Sequence, residues 1–533
     1  MNRPSCPLRL IEAAGAMSLA TDLAMGQSLE HGLRTAVLAL RLAQAIGLAE
    51  DDQVTVFYTG VLHFAGCTAE SEIDAQFFGD EIAARPQMLS AMMGSRRELI
   101  MMAARVAHPD SPPFTRAAHM ARSAFGGVAE FRKWAASHCD VASVLGARMG
   151  FSEPIQQALT HLYERWDGKG MPGDMRGTQI PLAVRIMQVA QDADIGLQHG
   201  GAELAGRILA SRAGSGLDPD AVGTFLSLGD RVYEGLDAPS IWDLALTMEP
   251  GPKPVIGDER LDACLSAVAD FADLKSTWTI GHSRGVAQLA ERSAAVAGLP
   301  AADRSLLRRS ALVHDIGRVA VPVHVWAKPG PLSRHEREQV RLHAYHSERV
   351  LDAADALRPL ARLAGSHGER YDGSGYHRGS RAGDLPLSAW LLAAADCYQA
   401  MREPRAHRPK LPPEAAADQL RNDAKAGRLA PDAVNAVLIA AGQPREPIAR
   451  PAGLSERECE VLALLARGLA TKQVARQLGI SPKTCDHHIQ RVYAKVGVST
   501  RAGATLFALE HGLISPGYAL SPRIVVDRMW QPP

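Results

Sequence analysis

Long apolar runs, paired cysteines and an excess of either charge are all missing from this sequence, and each absence closes off a class of protein. No stretch of about 18 apolar residues occurs, and the opening MNRPSCPLRLIEAAGAMSLATDLAMG holds no signal core, so neither a membrane span nor secretion is expected. The seven cysteines, at 6, 67, 139, 264, 397, 459 and 485, are scattered and never form a Cys-x-x-Cys pair. That argues against a disulfide framework and a structural zinc, and makes a reducing cytoplasm the expected location. Lys+Arg and Asp+Glu balance at 58 each, so any electrostatic partner must be met by a local patch. β-branched alternation is almost absent too, which leaves helices as the expected element. A chain of 533 residues exceeds the roughly 250 to 300 at which a single core stops growing, so several units are expected.

What the sequence does contain is repetition. HGLRTAVLALRLAQAIGL from His31 parallels HSRGVAQLAERSAAVAGL from His282, and each is followed 32 residues on by a second histidine, His63 in VLHFAG and His314 in LVHDIG. His138 precedes Glu164 by 26 residues, and His343 precedes Glu369 by the same 26. ERWDGKGMP then matches ERYDGSGYH, QIPLAVRIMQVAQ matches DLPLSAWLLAAAD, and the units close with LDPDAV and LAPDAV. The first unit is longer only between His63 and His138, where a Met- and Arg-rich insert lies. Val286, Leu289, Ala290, Ser293 and Val296 recur with helical spacing and predict one buried stripe. Two tandem helical bundles follow, at 15–245 and 255–442, with EPGPKPVIGD between them as a linker. GQPREPIARPAG, at 442–453, introduces a third, smaller module at 450–515.

The second unit carries the chemistry. A hard divalent metal needs imidazoles and carboxylates delivered from several helices, and an adjacent His-Asp pair lets the acid bridge two ions. The order His282, His314-Asp315, Asp396 supplies four ligands for one ion, and Asp315, His343 and His367 would hold a second. With HDIGRVAVP, LHAYHSERVL and HGERYDGSGYH between these positions, residues from about 275 to 440 resemble the HD-GYP family of helical metal phosphohydrolases. The resemblance implies one or two iron or manganese ions, in-line attack on a phosphodiester, and a cyclic dinucleotide or related phosphorylated small molecule as ligand. It implies catalytic roles for Asp315 and Arg318, the latter standing where the family carries Lys. Gly373 and Gly375 would let a loop approach the ligand, and Tyr376 would stack on it. Gly368 stands where the family has a second histidine, His377 where it has proline, and Trp278 where some members have a further carboxylate.

At the same positions the first unit keeps His31, His63 and His138 but has Phe64 in place of the bridging acid and Gln191 in place of the last aspartate. It is similar to a degenerate, non-catalytic member of the same family, and a bracing or dimerising role is expected of it.

Residues 454–514 change style. Ser455 with Glu458 forms a capping box, Gly468 and Gly479 end two short helices, and Ser481-Pro482 opens a third. This is helix-turn-helix grammar, and the stretch closely resembles the LuxR-type DNA-binding domain, a four-helix module. Eight Lys and Arg against five Asp and Glu give it a net charge of +3. The resemblance implies phosphate contacts from Lys472, Lys483, Thr484, Arg491 and Lys495, and base contacts from Asp486, His487 and Gln490. One such module reads a half-site, so a homodimer is expected. The sequence therefore predicts an all-α, DNA-binding regulator with a metal phosphohydrolase unit. A phosphodiesterase using the module as a localising arm, and an inactive scaffold that binds DNA, are the other readings.

Overall fold

A computed structural model describes residues 7–94, 98, 101, 132–444, 451–511, 513 and 514. Residues 95–97, 99, 100 and 102–131 of the Met- and Arg-rich insert, the centre of the 442–453 break and Cys6 lie outside these residues. The described residues form helices joined by turns, with four isolated bridges and no strand. No described helix is long and apolar enough to cross a membrane.

The repeat in sequence is a repeat in structure. Helix His31–Ile46 packs on Glu50–Leu62 and on the helical segment Leu182–Arg212, which is broken at Gly200 and Gly201, just as His282–Val296 packs on Ala301–Val313 and Leu387–Arg402. The residue before each leading histidine takes a left-handed backbone conformation, Glu30 at φ 70° and Gly281 at φ 80°. Glycine adopts this freely. Glu30 is held there by accepting the N–H groups of Ile241 and Trp242, 3.2 and 3.1 Å away. The expected stripe on His282–Val296 is buried at Val286, Leu289, Ala290 and Ser293, but Val296, the last residue of the helix, is 44% exposed.

Two expectations about organisation are corrected. The bundles do not have separate cores: their buried apolar residues form one continuous cluster running from Leu8 to Leu438. Helix Leu10–Ala24 packs against the first bundle and also against Arg334–Asp352 of the second. Nor is EPGPKPVIGD a free linker. Leu10 donates its N–H to the Pro254 carbonyl, Ile256 donates to that of Leu8, and buried Glu249 accepts from Tyr58 and Arg9. Backbone donors and acceptors at the start of the chain pin the segment that its prolines would otherwise leave open.

The C-terminal module has four helices, Glu456–Ala466, Thr471–Gln477, Pro482–Val496 and Arg501–Glu510, around small cores of its own. Its caps follow the sequence: the Ser455 hydroxyl accepts from the Glu458 N–H while Glu458 accepts from the Ser455 N–H, and Ser481 accepts from the Thr484 N–H.

Candidate active site

Three of the four candidate histidine ligands are placed by helix ends and the fourth by the body of a helix. His282 opens His282–Val296, His314 caps Ala301–Val313, His343 projects from the middle of Arg334–Asp352, and His367 follows Arg358–Ala364. All four are buried, as is Asp315, while Asp396 comes from the facing helix Leu387–Arg402. His314, His343 and His367 share one arrangement: Nδ1 faces a backbone carbonyl, of Ala311 at 2.7 Å, of Val340, and of Ala364 at 2.7 Å. A carbonyl can only accept, so Nδ1 carries the proton and each Nε2 presents a bare lone pair to the interior.

Those lone pairs converge. His343 and His367 place their Nε2 atoms 2.8 Å apart, and these lie 3.1 and 3.7 Å from Asp315 Oδ1. His314 Nε2 stands 3.5 Å from Asp315 Oδ2 and 3.9 Å from Asp396 Oδ1, and has no hydrogen-bond partner of its own. Acceptors facing acceptors in a buried site repel one another unless a cation lies between them. Three overlapping sets meet the spacing for such an ion: His282, His314 and Asp315; His314, His367 and Asp396; and Asp315, His343 and His367. The residues present therefore fit a divalent metal.

The charges at Asp315, Asp396 and His367 agree with this. Burial would raise the Asp315 carboxyl, but Arg318 and His314 hold it well below the usual carboxylate range, and His282 does the same for Asp396. Burial pushes His367 down to about 3, which keeps it neutral and able to ligate. Burial would also lower His282, yet hydrogen bonds to Asp396 at 3.1 Å and Glu403 at 2.8 Å outweigh that and carry it up to about 9. Glu403 is thus the outer carboxylate that orients His282.

The cluster floors a cavity of about 400 Å³. Arg318, Arg370, Arg405 and Arg408 line it, together with Trp278, Trp326 and Tyr376. Trp326 lies over the Arg318 guanidinium at 4.3 Å and edge-on to His343 at 5.6 Å. Arg405 bonds Glu403 at 2.9 Å and the Trp278 carbonyl. Sequence reasoning missed Arg370, Arg405, Arg408, Glu403 and Trp326. The one available signal was the pair of arginines in EPRAHRPK directly after the Asp396 helix.

Two expected ligand contacts fall elsewhere. Gly373 and Gly375 do not line the cavity. A Cβ on Gly375 would meet the Glu369 and Arg370 backbone at 2.4 to 2.7 Å, so this glycine lets the turn close on itself. Glu369 completes that turn by accepting from the N–H groups of Arg378 and Ser380, as Glu164 does from Gly173 and Asp174 in the first unit. Tyr376 does line the cavity, and its ring fills the space beside residue 368: a Cβ there would lie 1.8 Å from the ring. Gly368 and Tyr376 are therefore a matched pair.

In the first unit Phe64 occupies the acid's position, its ring 3.8 Å from that of His63 and stacked 5.7 Å from His31. His31 Nδ1 pairs with Asp194 at 2.6 Å, and Gln198 donates to the same carboxylate. In the second unit the corresponding positions are reversed, with Gln399 donating to Glu403. His138 does not join His31 and His63 as the spacing suggested: its ring lies between the His63 carbonyl at 3.0 Å, Glu70 at 3.3 Å and the Tyr163 hydroxyl. Among the described residues no metal-ligand cluster forms there.

On the C-terminal module Lys472, Lys483, Thr484, Asp486, His487, Gln490 and Arg491 are all exposed. Lys495 is exposed as well. Its ammonium is held by Glu458 at 2.6 Å and the Gly453 carbonyl at 2.9 Å, tying the third helix to the cap of the first.

The HD-domain family profile matches residues 127–211 and 266–432, and that of the bacterial regulatory proteins of the luxR family matches 452–508. The chain is 27% identical over 406 residues to 3'3'-cGAMP-specific phosphodiesterase 3 of Vibrio cholerae, an alignment covering 76% of this chain and 88% of that one. It is 30% identical over 177 residues to a cyclic di-GMP phosphodiesterase of Thermotoga maritima, covering 33% of this chain and 47% of that one. A crystal structure of a cyclic GMP-AMP specific phosphodiesterase of V. cholerae superposes with a TM-score of 0.57 and 25% identity, covering 82% of this chain and 98% of that one.

Proposed function

This chain is an HD-domain protein with a luxR-family regulatory domain at its C-terminal end, and from that premise we propose that it is a DNA-binding regulator whose second helical unit cleaves a cyclic dinucleotide with the help of bound metal. The observation that carries the reading is the convergence of three bare imidazole nitrogens on Asp315 beneath a cavity lined by arginines and aromatic rings. Arginines neutralise phosphates and aromatic faces stack on bases, so a cyclic dinucleotide meets both halves of that lining. The names of the relatives in V. cholerae and T. maritima support the same substrate class.

In this reading His282, His314, Asp315 and Asp396 hold one ion, and Asp315, His343 and His367 a second, with iron or manganese the metal. When bound, it would polarise the phosphodiester and make water a competent nucleophile at neutral pH. The chain's own groups do the rest. Arg318 neutralises charge developing on the phosphate, Trp326 holds the Arg318 guanidinium in place, and Tyr376 presents a face to a base. The first unit, 15–245, is non-catalytic and braces the second, 255–442, and the module at 450–515 binds DNA as part of a homodimer. Retention of three buried imidazole lone pairs facing the buried Asp315 carboxylate disfavours the inactive-scaffold reading, since a scaffold gains nothing from that cost.

The test is metal analysis followed by turnover of cyclic di-GMP and cyclic GMP-AMP. Purified protein is expected to carry iron or manganese in stoichiometric amount. Asp315→Ala should lose the metal and reduce turnover by about a thousandfold or more. A metal-free wild type, or an Asp315→Ala variant with undiminished turnover, would overturn the proposal.

A further inference from the structure

The insert that makes the first unit longer than the second does not stay within its own bundle. Two of its acids, Glu72 on helix Ser71–Phe78 and Glu81 on helix Glu81–Met92, reach the walls of the second unit's cavity. Glu81 is fully buried and accepts from the Lys275 ammonium, also fully buried, at 2.6 Å. The same oxygen accepts the Val323 N–H at 2.9 Å, at the start of the short helix that carries Trp326. Glu72 Oε1 accepts the Thr277 N–H at 2.8 Å, the Thr277 hydroxyl at 2.9 Å and the Ser276 hydroxyl at 3.1 Å. Ser276, Trp278 and Thr279 line the cavity, as does Trp326.

We propose that Glu72 and Glu81 are positioning residues for substrate binding: the first unit sets the separation of the two tryptophan-bearing walls of a cavity whose metal ligands all belong to the second. The physical case is one of constraint. The Trp278 turn is a single short turn, Thr277–Thr279, in the connection between helices Asp258–Asp273 and His282–Val296, and the Thr277 N–H at its start is satisfied from outside its own unit. Lys275 would be an isolated buried cation without Glu81, which makes the docking of the two units all-or-none at this point. A dinucleotide that inserts bases between the walls depends on their spacing, whereas a small diester reaching only the metal cluster and Arg318 does not. The inference rests on the proposed function for its ligand class.

The experiment compares Glu72→Ala with wild type, in the full-length metal-loaded protein, on cyclic GMP-AMP and on bis(p-nitrophenyl) phosphate, alongside hydrogen exchange at residues 275–279. Glu72→Ala should raise KM for the dinucleotide roughly fivefold or more, leave kcat/KM for the small diester within about twofold, and speed exchange at Thr277. Glu81→Gln strands a buried ammonium, so Lys275→Met with Glu81→Leu is the second variant: it removes both charges, should fold, and should reproduce the KM effect. Equal KM values on the dinucleotide, or unchanged exchange at Thr277, would overturn the positioning role. A wild type that turns over neither substrate would refute the proposed function, while the exchange measurement would still decide whether Glu72 holds the wall.

Discussion

Asp22 in the first unit occupies the place of Asp273 in the second, and the two show how one residue position is managed with and without a full set of partners. Asp273 accepts from both the N–H and the hydroxyl of Ser283, at 2.9 and 2.7 Å. Residue 32 is glycine, so Asp22 receives only an N–H, at 3.2 Å, and its second oxygen has no partner. Burial therefore pushes the Asp22 carboxyl up to about 7, the nearby His31 moderating the rise. An acid raised in the folded state binds a proton that the unfolded chain has released, so this group makes folding less favourable as pH rises from about 4 to about 7. Asp22→Asn keeps the acceptor for Gly32 and removes the ionisation. It should stabilise the protein at pH 8 by on the order of 2 kcal/mol and change little at pH 4, as read from denaturant midpoints at the two pH values.

Among the elements, helix Pro482–Val496 separates two jobs that one sequence pattern had merged. Its inner face, Cys485, Ile489 and Val492, is buried in the module's cores, and its outer face presents Lys483, Asp486, His487, Gln490 and Arg491. Lys495 sits at the last turn, where a cation also meets the helix's negative end, and is occupied by Glu458. Arg491→Ala should then weaken DNA binding and lower the slope of log affinity against log salt by about one. Lys495→Ala should lower the module's melting temperature and leave that slope nearly intact, which a fluorescence titration at two salt concentrations can distinguish. The caps and helix ends of this module were legible in advance because they are written locally: Ser455, Gly468, Gly479 and Ser481 each act within four residues of chain. The Lys495 pairing was not, because its partner lies 37 residues away and is brought close only by packing of the third helix on the first.

At the scale of the molecule, one continuous core joins two bundles that the sequence presents as separate repeats, while the C-terminal module keeps its own small cores. Metal removal should accordingly act on one part and not the other. Chelation is expected to lower the melting temperature of the joined bundles, since a ligand bound only by the folded state contributes to its stability, and to leave the transition of the module in place. Calorimetry of metal-loaded and chelated protein checks this: a single transition, or equal shifts in two, would count against it. The sequence alone determined the helical class, the repeat, the six candidate metal ligands and the helix-turn-helix. These are carried by helical periodicity and by short motifs whose spacing along the chain survives folding. Tertiary structure decided that Glu403 orients His282, that Arg370, Arg405 and Arg408 face the cavity, that Tyr376 takes the space beside Gly368, and that the first unit's Glu72 and Glu81 reach the second unit's walls. Each of these depends on which helix faces show to one another across long sequence separations, and no local spacing records that.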